Sequence, residues 1–250
     1  MTIKQIKDIL EETKQSDKEE INIILKKLET DERMGVKKLV EHYKKWYNNL
    51  EAEKDRLDGL LFFERKFAYR GLVCGVDEAG AGPLAGPLAA AAVILPANCA
   101  INSINDSKKL SSKLRAMLYD EILDVAIAHS IVFIDNNEID KINILQARLK
   151  AMAMAVNSLE PAASYALVDG ERALAGIASL PIQGGDSKSM SIAAASILAK
   201  VARDRLMDEY DKIYPQYGFM RHKGYGTSQH MEAIKAHGPS PIHRKTFIRW

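Results

Sequence analysis

The chain predicts an α/β fold, a mixed sheet flanked by helices, preceded by a small and mainly helical N-terminal segment. Three observations carry this. Beyond residue 70, short apolar runs bounded by glycine alternate with longer stretches whose apolar residues return every three to four positions. The first 68 residues have another texture, rich in Lys and Glu, with apolar residues at helical spacing only. Finally, 250 residues at 47% hydrophobic content suffice for one full core and a smaller second one.

The elements follow in order. Ile6, Ile9 and Leu10 mark a first helical stretch, and Ile21, Ile24, Leu25 and Leu28 a second. Val36, Leu39, Val40 and Tyr43 mark a third, with Thr30 or Asp31 placed to cap it. The pattern continues from Lys44 to Phe67 through Trp46, Tyr47, Leu50, Leu57, Leu60, Leu61 and Phe63. Glu and Lys pairs at helical spacing add modest support. We expect residues 1–68 to form an accessory segment and 69–250 the main domain with a C-terminal helical part. Strands are expected at 72–77, 88–95, about 128–135 and 165–169, and helices at about 111–125, 137–158, 189–213 and 228–237.

The charge balance is uninformative: 35 basic against 33 acidic residues leave a net +2, so the distribution matters more than the total. The accessory segment reads either as a solvated helical appendage or as a nucleic-acid-binding module. Lys37, Lys38, Lys44, Lys45, Trp46 and Tyr47 supply the mixture of basic and aromatic side chains that the second reading needs. The two cysteines, Cys74 and Cys99, lie in no metal-ligand spacing, which argues against zinc. No run approaches transmembrane length, so the expectation is a cytoplasmic protein without a membrane partner.

The most informative segment is Val73-Cys74-Gly75-Val76-Asp77-Glu78-Ala79-Gly80-Ala81-Gly82-Pro83. It reads as a buried strand that ends in two carboxylates and runs into a glycine-rich turn. Ionised groups there must be paired or must bind a cation. The turn brings backbone N–H groups that can approach a phosphate closely. Asp106-Ser107-Lys108-Lys109 follows a second apolar strand, and Tyr165 to Gly170 repeats a strand ending in a carboxylate and a glycine, here Asp169. Gly184-Gly185-Asp186-Ser187-Lys188 then feeds a long helix from Ser191 to Asp204, rich in alanine and serine as close packing requires. Two glycine-containing motifs close the series: Tyr217 to Thr227, with Lys223 and Tyr225, and Gly238 to Arg244.

In this order the motifs resemble the type 2 ribonucleases H, the ribonuclease HII family, in its bacterial form with an N-terminal extension. The resemblance spans about Val73 to Phe247 and implies a ribonuclease H-like fold. It implies an endonuclease that cuts the RNA strand of RNA–DNA hybrids, 5′ of a ribonucleotide embedded in duplex DNA, leaving a 3′-OH and a 5′-phosphate. Asp77, Glu78, Asp169 and Asp186 match the family's catalytic and metal-binding carboxylates. Mg²⁺ or Mn²⁺, two per site, suits such oxygen donors. Substrate contacts are implied for Gly80, Ala81, Gly82, Lys108, Lys109, Lys200, Lys223, Tyr225 and Arg244. Tyr225 would pack on the sugar beside the ribonucleotide, where an added 2′-OH is excluded. The partners expected are RNA–DNA hybrid and ribonucleotide-containing duplex DNA, met by a monomer. The alternatives are a ribonuclease HIII-like enzyme without junction preference and a non-catalytic nucleic-acid-binding relative.

Two positions depart from the family pattern. Gly80-Ala81-Gly82 stands where Gly-Arg-Gly is usual, and Arg148 where a small hydroxyl residue is usual. The first removes a bidentate phosphate contact. On the reading that the two are linked, Arg148 partly replaces the missing guanidinium.

Overall fold

In the computed structural model, which describes residues 1–16 and 18–248, the first segment folds into α1 (Ile3–Ser16), α2 (Lys18–Leu28) and α3 (Met34–Leu60). Their apolar stripes meet as the spacing dictates: Ile6, Leu10, Ile21, Leu25, Val36, Val40 and Tyr43 are all buried in one cluster. Asp31 accepts the Arg33 N–H just ahead of α3, at 3.1 Å. Contacts divide the chain into two compact units, Met1–Arg56 and Leu57–Trp250, so the division falls inside α3.

The second unit begins with the end of α3 and with α4 (Phe62–Phe67). Its centre is a five-stranded sheet in the order β3-β2-β1-β4-β5. β1 (Val73–Ala79), β2 (Leu88–Ile94) and β3 (Ala128–Ile134) pair antiparallel, while β4 (Tyr165–Asp169) and β5 (Ser179–Ile182) extend the other side of β1 in parallel. Four of these strands lie where the sequence places them. β5 was not expected, because its four residues include Pro181, which confines it to a sheet edge and hides its pattern.

The helices are α5 (Ser112–Val125), α6 (Asn136–Ile142), α7 (Ile144–Asn157), α8 (Met190–Ile213), the short α9 (Phe219–His222) and α10 (Ser228–His237). The single helix expected at 137–158 is in fact two. Asn143 breaks it with a φ of 66°, and its side chain accepts the N–H groups of Leu145 and Gln146 to cap α7.

Strand alternation sorts the core into two layers. Ala89, Ala91 and Val93 of β2 face α5 and α8, whereas Leu88, Ala90, Ala92 and Ile94 face α7. On β1, Cys74 and Val76 join the α7 layer, and Ala79 joins the α8 layer. α8 lies very close to β1: a Cβ on Gly75 would stand 2.2 Å from the backbone of Ser191 and Ile192. Ala193, Ala194, Ala195 and Ala199 supply the small buried face this approach needs. Among the described residues, no helix is long and apolar enough to cross a membrane.

Candidate active site

The same alternation decides where the acidic pair points. Asp77 belongs to the α8 side of β1 and Glu78 to the α7 side, so adjacent residues meet different helices. Asp77, 4% exposed, lies within reach of the Ser196 hydroxyl on α8. Glu78 meets Arg148 on α7, with Nε 2.6 Å from Oε1. β1 and β4 are paired in parallel up to Val76 and Val168, so the next step along each brings Asp77 beside Asp169, on neighbouring strands about 4.8 Å apart. Asp186, 7% exposed, sits in the 3-10 turn Gly185–Ser187 that feeds α8. Gly185 N–H donates to Asp169 Oδ1 at 2.7 Å, which ties that turn to the end of β4.

The four carboxylates therefore share one end of the sheet, and their electrostatics show it. Burial, then the charges of Glu78 and Asp169, push the Asp77 carboxyl well above its usual range. Burial also raises Glu78, against the pull of Arg148. Asp186 is raised by burial and then by Asp106. Lys108 has an exposed side chain with Nζ 3.6 Å from Asp186 Oδ2; a partial desolvation lowers its pKa, but Asp186, Asp106, Asp77 and Asp169 together raise it on balance.

Asp106 is thus a fifth carboxylate of the cluster, and sequence reasoning missed it. In sequence, an Asp followed by Ser and two Lys looks no different from an ordinary helix start. In fact Asp106 Oδ1 accepts the Lys108 N–H at 2.9 Å, and α5 starts only after Ser111 caps it. Ser107 Oγ lies 3.0 Å from Ser196 Oγ and fixes this loop to α8.

The donor set is all oxygen, the set that hard divalent cations such as Mg²⁺ or Mn²⁺ prefer. Glu78 Oε2 is buried with no hydrogen-bond donor among the described residues, an opening that a cation would fill. As placed, no three His, Cys, Asp or Glu side chains among the described residues are close enough to enclose an ion. Their present partners account for this: Asp77 Oδ1 accepts its neighbour's N–H at 2.7 Å, Asp169 holds Gly185, and Arg148 stands on Glu78.

The turn after the acidic pair is held from beneath by two buried arginines. Arg203, 1% exposed, donates to the carbonyls of Ala85, Pro87 and Lys223. Arg244, fully buried, donates to Gly80, Ala81 and Gly86. The phosphate contact expected of Arg244 is therefore corrected: with no exposed surface it cannot touch substrate. Its pKa falls to about 9 through burial and the neighbouring Arg203. Gly80 has to be glycine, since its φ is 93° and a Cβ would lie 2.0 Å from Arg203 Nε. With these carbonyls turned inward, N–H groups are what the turn can offer outward.

Tyr225 is 45% exposed and stands over this turn, its Cε1 3.7 Å from where a Gly82 Cβ would be. Its backbone is fixed by a histidine chain. Ser240 N–H donates to His243 Nδ1 at 2.8 Å, so His243 carries its proton on Nε2 and donates to His230 Nε2 at 3.0 Å. His230 then donates from Nδ1 to the Tyr225 carbonyl at 2.9 Å. Lys108 and Lys109 are exposed on the loop beside Asp186. Lys200 pairs with Asp204 at 2.7 Å, and Lys223 pairs with Asp208.

Comparison with known proteins agrees along the whole chain. The sequence model of ribonuclease HII matches residues 74–250, and that of the ribonuclease HII N-terminal domain matches residues 2–68. Ribonuclease HII of Lactobacillus helveticus is 47% identical over 248 residues, covering 99% of this chain and 97% of the relative. Ribonuclease HII of Ruminiclostridium cellulolyticum is 48% identical over 255 residues, covering 100% and 97%. Among solved structures, the ribonuclease H2 from Pyrococcus horikoshii superposes with a TM-score of 0.58 at 27% identity, over 70% of this chain and 92% of that one.

Proposed function

The chain belongs to the ribonuclease HII family and is a ribonuclease H acting on RNA–DNA; from that premise we propose that it cuts 5′ of a ribonucleotide embedded in duplex DNA, leaving a 3′-OH and a 5′-phosphate. The observation that carries this reading is the placement of Tyr225 over Gly82, on the same turn that leaves the acidic pair. Recognition and chemistry are then only a few residues of backbone apart. The N–H side of Gly80-Ala81-Gly82 meets the ribose and its phosphate. The ring of Tyr225 covers the neighbouring sugar and leaves no room there for a 2′-OH.

Asp77, Glu78, Asp169 and Asp186 would hold two divalent cations, Mg²⁺ or Mn²⁺, which would supply charge to offset the phosphoryl oxygens and to lower the pKa of an attacking water. The chain's own work is to fix the oxygens that face the phosphate. Ser196 and the Glu78 N–H orient Asp77, and Gly185 N–H orients Asp169. Lys108 and Lys109 extend the cationic edge along the substrate backbone, with Lys200 and Lys223 available from their ion pairs. The N-terminal unit adds affinity through a cavity of 610 Å³ lined in part by Lys37, Lys44 and Lys45, of which Lys37 and Lys44 also pair with Glu32 and Glu29. The enzyme acts in the cytoplasm as a monomer.

The test is cleavage of two labelled substrates, a full hybrid and a DNA duplex with one ribonucleotide, with Mg²⁺ and with Mn²⁺. A single cut 5′ of the lone ribonucleotide supports the reading. Cleavage of the full hybrid alone would replace it with a ribonuclease HIII-like activity, which the loss of an arginine at Ala81 would favour.

A further inference from the structure

Glu78 already has a cation against it. α7 carries Arg148, and the guanidinium reaches Glu78 with Nε 2.6 Å from Oε1. Yet this is a poor match for a pair built for stability. An Arg–carboxylate pair of that kind uses two parallel N–H···O bonds and occupies both oxygens. Here the N–H of Arg148 Nε is buried and not aligned on any acceptor, and Glu78 Oε2 is buried with no donor among the described residues. One charge faces the other, while Arg148 Nε and Glu78 Oε2 are left without a well-aligned hydrogen-bond partner among the described residues.

The surroundings of Arg148 are equally telling. Its side chain is 32% exposed, against 9% for Glu78, so the arginine stands on the open side of the pair. It also lines a cavity of 320 Å³ with Leu145, Asp169, Gly170, Arg172 and Gln183. Asp169, another of the four carboxylates, thus borders the space next to the guanidinium. A divalent cation bridging Glu78 and its neighbours must come within about 2–2.6 Å of the carboxylate oxygens. At the open Oε2 it would still lie beside the guanidinium on Oε1, a like charge that repels it.

We propose that Arg148 is an internal cation that competes with the divalent metal for Glu78, so that metal binding requires the guanidinium to leave the carboxylate for the cavity beside α7. The proposal rests on the carboxylate cluster being the metal site. In the metal-free protein Arg148 offsets part of the charge that four neighbouring carboxylates would otherwise impose on one another. The cost is a lower affinity for metal, which makes Arg148 a positioning residue that sets the metal concentration at which the enzyme works.

The experiment reads metal binding directly. Mn²⁺ is titrated into the full chain at about pH 8, where proton competition is small, and free Mn²⁺ is followed by electron paramagnetic resonance. The proteins are the wild type, Arg148→Thr, Arg148→Gln, Arg148→Lys and Asp77→Asn, each checked by circular dichroism for native helix content. Arg148→Thr and Arg148→Gln should bind Mn²⁺ about tenfold more tightly, a change of about 1.4 kcal/mol. Arg148→Lys, which keeps the charge, should stay closer to the wild type. Equal or weaker binding by both neutral variants, with Mn²⁺ still bound by the wild type and lost in Asp77→Asn, would overturn the competition and leave the site intact. Mn²⁺ binding that survives Asp77→Asn unchanged would instead overturn the assignment of the carboxylates, and the proposal with it.

Discussion

Asp77 is held in a position that disfavours its ionised form. Burial, Glu78 and Asp169 all raise its pKa above the unfolded value. A raised carboxylate favours the folded state below the unfolded pKa, and that contribution is lost as pH rises through the folded pKa. At neutral pH without metal, the ionised group therefore works against folding. Asp77→Asn should raise the metal-free melting temperature at pH 7, by roughly 2–4 °C for each kcal/mol relieved, while abolishing cleavage of RNA–DNA. The gain should vanish near pH 4; a melting temperature that falls at pH 7 would show that Asp77 is not strained. The histidines behind Tyr225 carry the opposite sign. Burial, and next the neighbouring His230, lower His243 to about 4, and burial lowers His230. Their contribution is present above the unfolded value of about 6.5 and is lost as pH falls toward the folded one. Amide exchange across 225–230, corrected for its intrinsic pH dependence, should therefore be faster at about pH 5 than at about pH 7. Equal protection at both would mean that the chain tolerates the added proton. At this scale, the sequence showed Asp77, Glu78 and Asp169 because a carboxylate ending an apolar strand is anomalous in itself. Asp106 and Arg244 carried no such anomaly: one resembles any helix start, and nothing local tells a buried guanidinium from an exposed one.

Among the elements, the contact of α8 with β1 sets the site. α8 brings Ser196 to Asp77, and the turn before it carries Asp186. Gly75 is what permits this approach, because a Cβ there would meet backbone atoms at 2.2 Å and no side chain could yield. Gly75→Ala should therefore cost more than about 3 kcal/mol, beyond the usual range for overpacking. In urea the midpoint should fall with an unchanged slope. A loss below about 1 kcal/mol would mean that α8 lifts off the sheet easily. The short apolar runs of β1, β2 and β4 and the alanine-rich face of α8 made most of this layer legible. The break at Asn143 was not, because α6 and α7 keep one apolar pattern across it, and only the backbone conformation of a single residue interrupts them. That break starts the helix on which Arg148 rides, so the placement of Arg148 against Glu78 could not be read from spacing.

For the whole molecule, the question is where the catalytic unit begins. The composition of the chain changes near residue 68, but the contacts divide it between Arg56 and Leu57. The difference matters physically. Leu57, Leu60 and Leu61 are 4–6% exposed and belong to the core cluster with α5, β2 and α8. Glu64 then accepts from Ser189 Oγ, Ser191 N–H and Ser191 Oγ at 2.6–2.9 Å, placing a carboxylate at the N-terminus of α8, where the helix dipole favours it. Composition could not reveal this, since these residues share the helical, charged texture of the segment before them. Two truncations should therefore behave differently. Removal of residues 1–56 should leave a folded, active enzyme whose substrate affinity is weakened, most of all at low salt, because phosphate contacts are salt-sensitive. Removal of residues 1–68 also takes away three buried leucines, each worth about 2–5 kcal/mol by analogy with truncation to alanine, together with the Glu64 contacts. That product should aggregate or melt at much lower temperature. Thermal unfolding of both proteins, with binding to a single-ribonucleotide duplex across a salt series, decides the matter. If the shorter product were as stable as the longer one, the end of α3 would be dispensable to the catalytic core; if removing 1–56 left low-salt binding unchanged, the N-terminal unit would be a solvated appendage.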